Sequence, residues 1–378
     1  MLEVLRRVGF TPRSCVWELT LACNLRCGHC GSIAGARRSD ELTRDELFDV
    51  ADQLVRLGCR RVTLSGGEPT LHPHWHEVGQ RLARQGARVN LISNGWSWNE
   101  RCAQLAIEAG LCAAAFSLDG WQKEHDALRQ EGSFERVVRA IEVCVASGLP
   151  VAVNTTITRL NQHLLPELYP FLQDHGVFSW QLQFATPTGN MGQHRDWVVA
   201  PEDLLWLVPA IAELCQRQGG LRVEPSDDIG YYGVPEAALR GKDPALPFWL
   251  GCRAGCQLVG IESNGNVKGC LSLPSAMNGE RQFVQGNLRE SRLEAIWNRP
   301  DAFAANRTFD EQQLKGFCRV CRYRDVCRGG CTWTRYTLRQ SSEGNPYCFY
   351  HQAVRHGRTE LIGEEPTAAE REYFFKAR

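Results

Sequence analysis

Short apolar runs alternate with amphipathic stretches along the first half of the chain. The apolar runs have the length and β-branched content of buried strands, and the stretches between them repeat apolar residues with a helical period. Several of these stretches end in a glycine, as at Gly58, Gly86 and Gly110, where a helix C-terminus is expected. The predicted strands are Val16–Leu21, Arg61–Leu64, Ala87–Ile92, Ala113–Leu118, Val151–Thr156 and Ser179–Gln183. The predicted helices are Arg44–Leu57, His76–Gln85, Glu100–Ala109, Phe134–Ser147 and Leu164–His175.

Strand and helix follow each other about six times in this region. Repeated alternation of this kind predicts a parallel sheet with right-handed crossover helices, that is, an α/β fold. Periodicity alone leaves two architectures open, an open doubly wound sheet and a TIM-like barrel.

The pattern changes after residue 200. Glu202–Gln218 reads as one helix, and the segment 219–250 is rich in Gly, Pro and Asp, which predicts a connecting segment. From Cys252 to Cys348 the strand and helix signals are weak, so this region needs cross-links in place of a large apolar core. The predicted divisions are a barrel domain at 1–200, a connecting helix and linker at 201–250, a cysteine-rich domain at 251–357 and a charged C-terminal tail at 358–378.

Composition narrows the class of protein. Apolar residues make up 43% and charged residues 23% of the 378 residues, as in ordinary globular proteins. Lys+Arg and Asp+Glu are equal at 43 each, which disfavours binding to nucleic acid or to an anionic membrane surface. No apolar stretch approaches the roughly 18 residues of a membrane span, and charged residues interrupt the N-terminus where a signal peptide would be apolar. We therefore expect a soluble, cytoplasmic protein.

Cysteine is the unusual component, with 17 residues that occur in clusters. Because disulfides are rare in the cytoplasm, clustered cysteines indicate metal ligation. The first cluster, Cys23-x3-Cys27-x2-Cys30, directly follows the first predicted strand. Three thiolates hold three irons of a cubane cluster and leave the fourth open. A structural zinc site with His29 as the fourth ligand is the alternative.

The second constellation lies in the last third of the chain and contains eight cysteines. Eight thiols make two complete sets of four, which suits either two [4Fe–4S] clusters or two zinc sites. Its members are Cys252, Cys256, Cys270, Cys318, Cys321, Cys327, Cys331 and Cys348.

Several motifs together resemble a known family. The first cysteine cluster, with His29 before its last cysteine, is similar to the signature of the radical S-adenosylmethionine (SAM) superfamily. The segment 65–69 reads Ser-Gly-Gly-Glu-Pro and resembles that superfamily's Gly-Gly-Glu-Pro motif. The spacing Cys252-x12-Gly265-x4-Cys270, with the later cysteines, resembles the SPASM extension. The resemblance covers residues 16–351 and implies a partial (β/α)6 TIM-like barrel followed by a cysteine-rich SPASM domain with little regular secondary structure.

The resemblance also implies the cofactors, which are S-adenosylmethionine and three [4Fe–4S] clusters. The cluster on Cys23, Cys27 and Cys30 would bind S-adenosylmethionine at its open iron and cleave it to methionine and a 5′-deoxyadenosyl radical. The other two clusters would be auxiliary. By resemblance, Cys252, Cys256, Cys270 and Cys331 hold the one nearer the active site, and Cys318, Cys321, Cys327 and Cys348 hold the outer one.

Contacts to S-adenosylmethionine are carried over in the same way. Gly66 and Gly67 would let the backbone approach the methionine amine, and Glu68 would orient nearby groups. An ordinary strand-to-helix turn is the alternative for the glycines. Further predicted contacts are His29, Asn94, Ser117 and Arg129.

The last three of these contacts have individual roles or alternatives. Ser117 and Arg129 match residues that contact the cofactor's carboxylate, a task that suits the planar fork of arginine. A helix-surface position is the alternative for Arg129. Asn94 would reach the ribose or the substrate, unless it only forms an Asn-Gly turn.

Three substrate classes fit the resemblance. We favour a peptide that is oxidised at an unactivated C–H bond, by cross-linking or similar chemistry, during maturation of a ribosomally made peptide. A sulfatase-maturing enzyme is the second possibility, but that subfamily has Asp directly after the third auxiliary cysteine, where this chain has Leu271. A small-molecule or tetrapyrrole oxidase is the third. Asp119 is our weak candidate for the catalytic base. A non-enzymatic electron carrier of the ferredoxin type leaves the barrel pattern unexplained.

The partners follow from the same resemblance. Since 22 residues precede Cys23, a fused N-terminal peptide-recognition domain does not fit, and we expect either a separate leader-binding protein or recognition through the barrel mouth. An external electron donor of the flavodoxin or ferredoxin type is also expected. We expect no nucleic-acid partner and no membrane association.

Overall fold

The computed structural model describes residues 2–241, 248–277, 280–281, 283–337 and 344–375. Parts of the predicted linker, cysteine-rich domain and tail, at 242–247, 278–279, 282, 338–343 and 376–378, lie outside the described residues. The strands are β1 (Ser14–Glu18), β2 (Arg61–Ser65), β3 (Arg88–Ser93), β4 (Ala113–Ser117), β5 (Val151–Ile157), β6 (Val177–Phe184), β7 (Arg222–Pro225), β8 (Leu258–Ile261), β9 (Asn266–Lys268), β10 (Ala276–Met277), β11 (Glu280–Arg281) and β12 (Gly286–Asn287). The helices are α1 (Leu2–Val8), α2 (Arg44–Arg56), α3 (Trp75–Arg84), α4 (Glu100–Glu108), α5 (Gln122–Leu128), α6 (Ser133–Ala146), α7 (Leu165–Asp174), α8 (Leu204–Gln216), α9 (Glu236–Arg240), α10 (Leu293–Asn298), α11 (Ala304–Arg307), α12 (Phe317–Val320), α13 (Arg324–Cys327), α14 (Thr332–Thr337), α15 (Phe349–Arg355) and α16 (Ala368–Phe375).

The predicted α/β fold with a parallel sheet at its centre is confirmed. Strands β1 to β6 pair in chain order and in parallel, with Val16 opposite Thr63 between β1 and β2. The described sheet has ten strands in the order β12-β9-β8-β1-β2-β3-β4-β5-β6-β7. Its edge strands, β12 and β7, do not pair with each other, so the sheet is not closed, as expected for a partial barrel.

Local sequence accounts for the regular parts of this sheet. In β4 the segment Ala113–Phe116 is buried throughout, as expected for a central parallel strand covered on both faces. Large side chains fill the space on either side, and Trp17, Phe116 and Trp180 are completely buried. Helix α2 begins with a capping box, because Thr43 accepts from the Glu46 amide while the Glu46 carboxylate accepts from the Thr43 amide.

The structure adds strands that the sequence pattern did not predict. Strand β7 lies in the segment predicted as a connection and pairs in parallel with β6. Its four residues end in Pro225 and only Val223 is buried, so it carries too little apolar pattern to be recognised. Strand β8, beyond Cys252, pairs in parallel with β1. The sheet therefore continues into the cysteine-rich region.

The cysteine-rich region is built from short elements, as predicted. Helices α11, α12 and α13 have four residues each, and α14 has six. Aromatic side chains supply much of its small core, including Tyr231, Trp249, Phe317 and Tyr350. Within the described ranges, every helix is too short or too polar to cross a membrane.

Candidate active site

The predicted site residues meet at one edge of the sheet. Because β1 to β4 are parallel, their carboxyl ends lie side by side. A predicted site residue follows each of these strands. Cys23 follows β1 and Glu68 follows β2, while Asn94 comes directly after β3 and Asp119 comes shortly after β4. This is the face at which barrels of parallel strands carry their chemistry.

A loop of the chain holds the first three cysteines, and backbone contacts fix its base. Ala22 and Gly35 form an isolated parallel bridge, with the Cys23 amide donating to the Gly35 carbonyl at 3.0 Å. Buried Glu41 accepts from the Thr20 hydroxyl and from the Leu21 amide, both at 2.8 Å. The loop therefore starts and ends at a fixed point beside β1.

The far side of this loop is held by two distant segments. The Gly28 amide donates to the Leu128 carbonyl at 2.9 Å, and a ring nitrogen of His29 lies 3.2 Å from the same carbonyl. Asn190 donates its side-chain amide to the Cys27 carbonyl at 2.9 Å and its backbone amide to the Cys30 carbonyl at 3.0 Å. Sequence reasoning missed Asn190, which is 160 residues away from Cys30 and lies in no motif that would have indicated it.

Every thiol of the loop has an N–H group directed at its sulfur. Cys23 Sγ lies 3.4 Å from the Leu25 amide and 3.7 Å from Asn94 Nδ2. The other two contacts are Ala34 N to Cys30 Sγ at 3.5 Å and Arg129 Nη1 to Cys27 Sγ at 3.9 Å. Hydrogen-bond donors of this kind stabilise sulfur that carries negative charge, as thiolate ligands of an iron–sulfur cluster do. The residues present therefore fit a cluster on these cysteines.

Gly66 and Gly67 allow two backbone segments to touch. The Gly67 amide donates to the Thr20 carbonyl at 2.8 Å, and the Glu68 amide donates to the Ala22 carbonyl at 2.8 Å. A Cβ atom on Gly66 would lie 2.4 Å from the Thr20 carbonyl oxygen, and one on Gly67 would lie 2.4 Å from that of Ala22. These glycines seat the segment after β2 against the start of the cysteine loop.

Replacing Gly67 by alanine should therefore displace the cysteine loop. The added Cβ would meet backbone oxygen, which has no rotamer to escape into, and we expect a loss of about 2–4 kcal/mol in the free energy of unfolding. Urea unfolding followed by tryptophan fluorescence measures this loss. Gly31→Ala is the matched control, since it lies in the same loop and its Cβ would have no neighbour within 4 Å. Equal stability of the two variants would contradict the prediction.

Buried Glu68 organises the turn after β3. Its carboxylate accepts from the Thr70 hydroxyl at 2.6 Å, the Ser93 hydroxyl at 3.0 Å and the Asn94 amide at 2.7 Å. Burial raises the pKa of Glu68, and these hydrogen bonds act in the opposite direction. These contacts hold the side-chain amide of Asn94 close to the Cys23 sulfur. The same amide donates to the Asn24 side-chain oxygen at 2.8 Å.

A buried ion pair forms the other wall of the site. Arg129 Nε donates to Asp119 Oδ2 at 2.6 Å, and His29 Nε2 lies 3.4 Å from the same oxygen. The Thr156 amide donates to the second carboxylate oxygen at 2.9 Å. Although burial disfavours the charged carboxylate, Arg129 and the two nearby histidines, His29 and His125, lower the pKa of Asp119 to about 2.

These contacts bear on the roles predicted for this group. A carboxylate with so low a pKa is a poor proton acceptor at neutral pH, which argues against Asp119 as the catalytic base. Arg129 is 9% exposed and lies beside Cys27, where a cofactor's carboxylate would be predicted. Ser117 is the last residue of β4 and is half-buried at the same edge of the sheet. Contact of Ser117 and Arg129 with a cofactor stays a prediction.

The eight remaining ligand candidates interact within two separate groups. Cys252 and Cys331 share a hydrogen bond that lowers the pKa of Cys252 and raises that of Cys331. Burial is the largest cause of the raised pKa values of Cys256 and Cys270. The negative charge of the Cys252 thiolate raises both values further.

The second group is formed by the other four thiols. Burial is the largest cause of the raised pKa of Cys348. The negative charges of the thiolates of Cys327, Cys321 and Cys318 raise this pKa further. The same four thiols line one cavity, together with aromatic rings that include Tyr231 and Tyr350. Space enclosed by four thiols fits a closed four-cysteine cluster. In the described part of the chain, no three His, Cys, Asp or Glu groups are arranged around a single metal ion.

Comparison with known proteins gives two family matches. The model of the radical SAM superfamily matches residues 17–169. The model of the SPASM iron–sulfur cluster-binding domain matches residues 252–322.

Relatives of known name extend over nearly the whole chain. The AdoMet-dependent heme synthase of Methanosarcina barkeri is 30% identical over 351 residues, which cover 90% of this chain and 97% of that protein. The mycofactocin maturase MftC of Mycobacterium tuberculosis is 29% identical over 359 residues, covering 92% and 85%. Among solved structures, SuiB of Streptococcus suis bound to its precursor peptide SuiA superposes with a TM-score of 0.71 at 18% identity, covering 92% of this chain and 77% of that chain.

Proposed function

The chain belongs to the radical SAM superfamily and carries its SPASM domain, and from this premise we propose that it oxidises a peptide substrate during maturation of a ribosomally made peptide. The single observation that carries the peptide assignment is the similarity to mycofactocin maturases along nearly the whole chain.

The residues at the sheet edge divide the work of the reaction. Cys23, Cys27 and Cys30 hold a [4Fe–4S] cluster with one open iron. When bound, this cluster and S-adenosylmethionine supply the 5′-deoxyadenosyl radical that abstracts hydrogen from the substrate. Arg129 offers a positive charge to the cofactor's carboxylate, and Asp119 fixes the orientation of that guanidinium through the 2.6 Å contact.

The remaining predicted contacts position the cofactor. Glu68 holds Asn94 toward the cysteine loop, and Gly66 and Gly67 keep the backbone close to it. His29 is anchored between the Leu128 carbonyl and Asp119. These residues act by orientation and by excluding water from the site.

The SPASM region holds two auxiliary clusters in this proposal, which makes three clusters in all. Cys252, Cys256, Cys270 and Cys331 hold one, and the group defined by Cys318, Cys321, Cys327 and Cys348 holds the other. The separation of the thiols into these groups supports the partition. Four-thiolate ligation leaves no open iron, so the auxiliary clusters carry electrons or stabilise the structure and do not bind S-adenosylmethionine. An external flavodoxin or ferredoxin supplies the reducing electron, and the peptide is recognised either through a separate leader-binding protein or at the barrel mouth.

A tetrapyrrole oxidase is the second candidate function. The similarity to AdoMet-dependent heme synthases covers nearly the full length of both chains, and this observation favours it. A sulfatase-type maturase has less support, because Leu271 follows Cys270 and offers no acidic side chain; its carbonyl accepts from Lys268 Nζ at 3.1 Å.

The peptide assignment is tested by following hydrogen. We expect that a short peptide encoded beside this gene, deuterated throughout, transfers deuterium to 5′-deoxyadenosine when incubated anaerobically with the reconstituted enzyme, S-adenosylmethionine and a strong reductant. Unlabelled peptide should become two hydrogens lighter by mass spectrometry, and a sulfatase-type Cys or Ser peptide should be turned over poorly.

Two comparisons decide the outcome. The Cys27→Ala enzyme is the control for background cleavage. Turnover of an iron tetrapyrrole, with no deuterium transferred from any peptide, would overturn the first candidate in favour of the second.

A further inference from the structure

Three arginines lie around the first auxiliary cysteine group, which consists of Cys252, Cys256, Cys270 and Cys331. Arg307 and Arg328 are buried and Arg335 is half-buried. Their guanidinium groups donate to backbone carbonyls. Arg307 Nε donates to that of Gly255 at 2.7 Å, and Arg328 Nη1 donates to that of Asn306 at 3.1 Å. Arg335 Nη1 donates to the carbonyl of Arg328 itself at 3.0 Å, which joins the two side chains into one cluster of positive charge.

The positive charge of these arginines has no carboxylate partner. Other buried cations of the chain are paired, as Arg129 is with Asp119 at 2.6 Å and Lys268 is with Glu262 at 3.0 Å. Among the described residues, no carboxylate oxygen lies within 4.0 Å of a nitrogen of the three guanidinium groups. Because an uncompensated buried charge is costly, a negative group is expected beside them. An iron–sulfur cluster with four thiolate ligands carries net negative charge and meets this need.

Arg328 lies against the ligand residues of the first group. The Asn306 carbonyl to which it donates is also 3.8 Å from Cys256 Sγ, and Asn306 Nδ2 lies 4.0 Å from Cys252 Sγ. Gly251 directly precedes Cys252, and a Cβ atom on Gly251 would overlap the Arg328 guanidinium. The charge of Arg328 is therefore fixed beside two of the four ligands.

The backbone at Arg328 indicates that its side chain has a role. Its φ of 56° lies in the left-handed region, where a residue other than glycine is uncommon. Gly329 and Gly330 follow it with φ of 81° and 83°. Glycine would adopt the first of these three conformations with less strain, so the turn alone does not account for an arginine there.

The electrostatic surroundings of Arg328 agree with this geometry. Burial lowers the pKa of Arg328, and the negative charges of three thiolates act in the opposite direction. The larger two of these opposing effects come from Cys256 and Cys252, and the smaller one comes from Cys327 in the second group. Arg328 therefore interacts chiefly with the first group.

We infer that Arg328 raises the reduction potential of the auxiliary cluster on the first cysteine group and so favours transfer of an electron from the substrate radical, an inference that rests on the cluster assignment in the proposed function. A fixed positive charge stabilises the reduced cluster, which is the more negative state. After hydrogen abstraction, the substrate radical gives one electron to this cluster and one proton to water. The electron then leaves to the oxidised form of the external flavodoxin or ferredoxin, and the substrate has lost two hydrogens in all.

Redox titration of the reconstituted holoenzyme tests this role without substrate. Arg328→Gln should lower the midpoint potential of the first auxiliary cluster. At the wild-type midpoint its ratio of reduced to oxidised form should fall at least about tenfold, which corresponds to about 59 mV for one electron. Electron paramagnetic resonance separates the clusters, because S-adenosylmethionine alters the signal of the cluster that binds it and Cys256→Ser alters that of the first auxiliary cluster. Iron content should stay at about 12 per chain.

Three further variants control for a general effect of the substitution. Arg299→Gln removes an exposed arginine of the same region that is paired with Asp301 at 2.7 Å, and the ratio should stay within about twofold of wild type. Arg328→Lys keeps the positive charge and should restore the ratio to within about threefold. Arg335→Gln should lower the ratio at least about threefold, and it decides the question if Arg328→Gln does not retain its iron.

The outcomes separate this inference from the proposed function. An unchanged potential in Arg328→Gln with full iron content, or an equal shift in Arg299→Gln, would overturn the role of Arg328. If Arg328→Gln lacks iron, a wild-type ratio in Arg335→Gln would overturn it as well. Wild type with only about four irons per chain would contradict the auxiliary clusters themselves. If wild type holds about 12 irons but transfers no deuterium from any peptide, the peptide assignment fails, and the titration still decides the role of Arg328.

Discussion

Replacing Cys27 by alanine should abolish the cleavage of S-adenosylmethionine. The cluster loses one of its three protein ligands, and the remaining thiols of the loop are insufficient to hold it. 5′-Deoxyadenosine should fall below detection in anaerobic assays with a strong reductant. Replacing Cys23, Cys27 and Cys30 together should lower the iron content from about 12 to about 8 per chain, because the two auxiliary clusters do not use these residues.

A cysteine outside the three sets provides the control. Cys112→Ala removes a half-buried thiol that no proposed cluster uses, and it should leave both cleavage and iron content unchanged. Wild-type cleavage by the Cys27→Ala enzyme would rule out the assignment. Stoichiometric zinc without sulfide in the native protein would do so as well.

Asp119→Asn should cause the largest loss of stability among single substitutions at the site. The change keeps the volume of the side chain but leaves the guanidinium of Arg129, 9% exposed, without its counter-charge. Removing one partner of a buried ion pair costs about 3–5 kcal/mol. Because the folded pKa of Asp119 is about 2, its stabilising contribution is fully present at neutral pH and is lost only as the pH falls toward that value.

The measurement is urea unfolding at neutral pH and again at acid pH. The difference between wild type and Asp119→Asn should narrow as the pH falls toward 2, where Asp119 becomes protonated. Glu100→Gln is the control, since it breaks an ion pair with Arg139 in which both side chains are about 70% exposed. Such exposed pairs contribute little. Equal unfolding midpoints for the two variants at neutral pH would contradict the prediction that Asp119 stabilises the fold as the buried counter-charge of Arg129.

The parts of the fold that sequence predicted depend on local information. The six strands of the barrel were recognisable because each is a short apolar run, and the structure places all of them in parallel. The capping box at Thr43 and Glu46 is encoded within four residues. The candidate ligands were recognisable because the cysteines cluster along the chain, whereas their partition into two auxiliary sets came from the family resemblance.

What sequence did not predict depends on contacts between distant segments. Asn190 binds the cysteine loop only because the turn after β6 is brought against it, and Arg328 donates to the carbonyl of Leu250, which lies 78 positions earlier in the chain. Strand β7 has too few apolar residues to be predicted as a strand. The pairing of β8 with β1 joins segments that are far apart in the sequence, so no local sequence pattern predicts it. Such relations are set by tertiary packing.

The continuous sheet restricts how this enzyme can be recombined with its relatives. Strand β1 leads directly into the cysteine loop, and β8 lies hydrogen-bonded along it from Ser14 to Trp17. A chimera that took its SPASM region from another protein would have to supply a strand in this register, or it would leave β1 as an unpaired edge open to aggregation. Domain shuffling by simple fusion near residue 251 is therefore disfavoured, and the two regions should be inherited together.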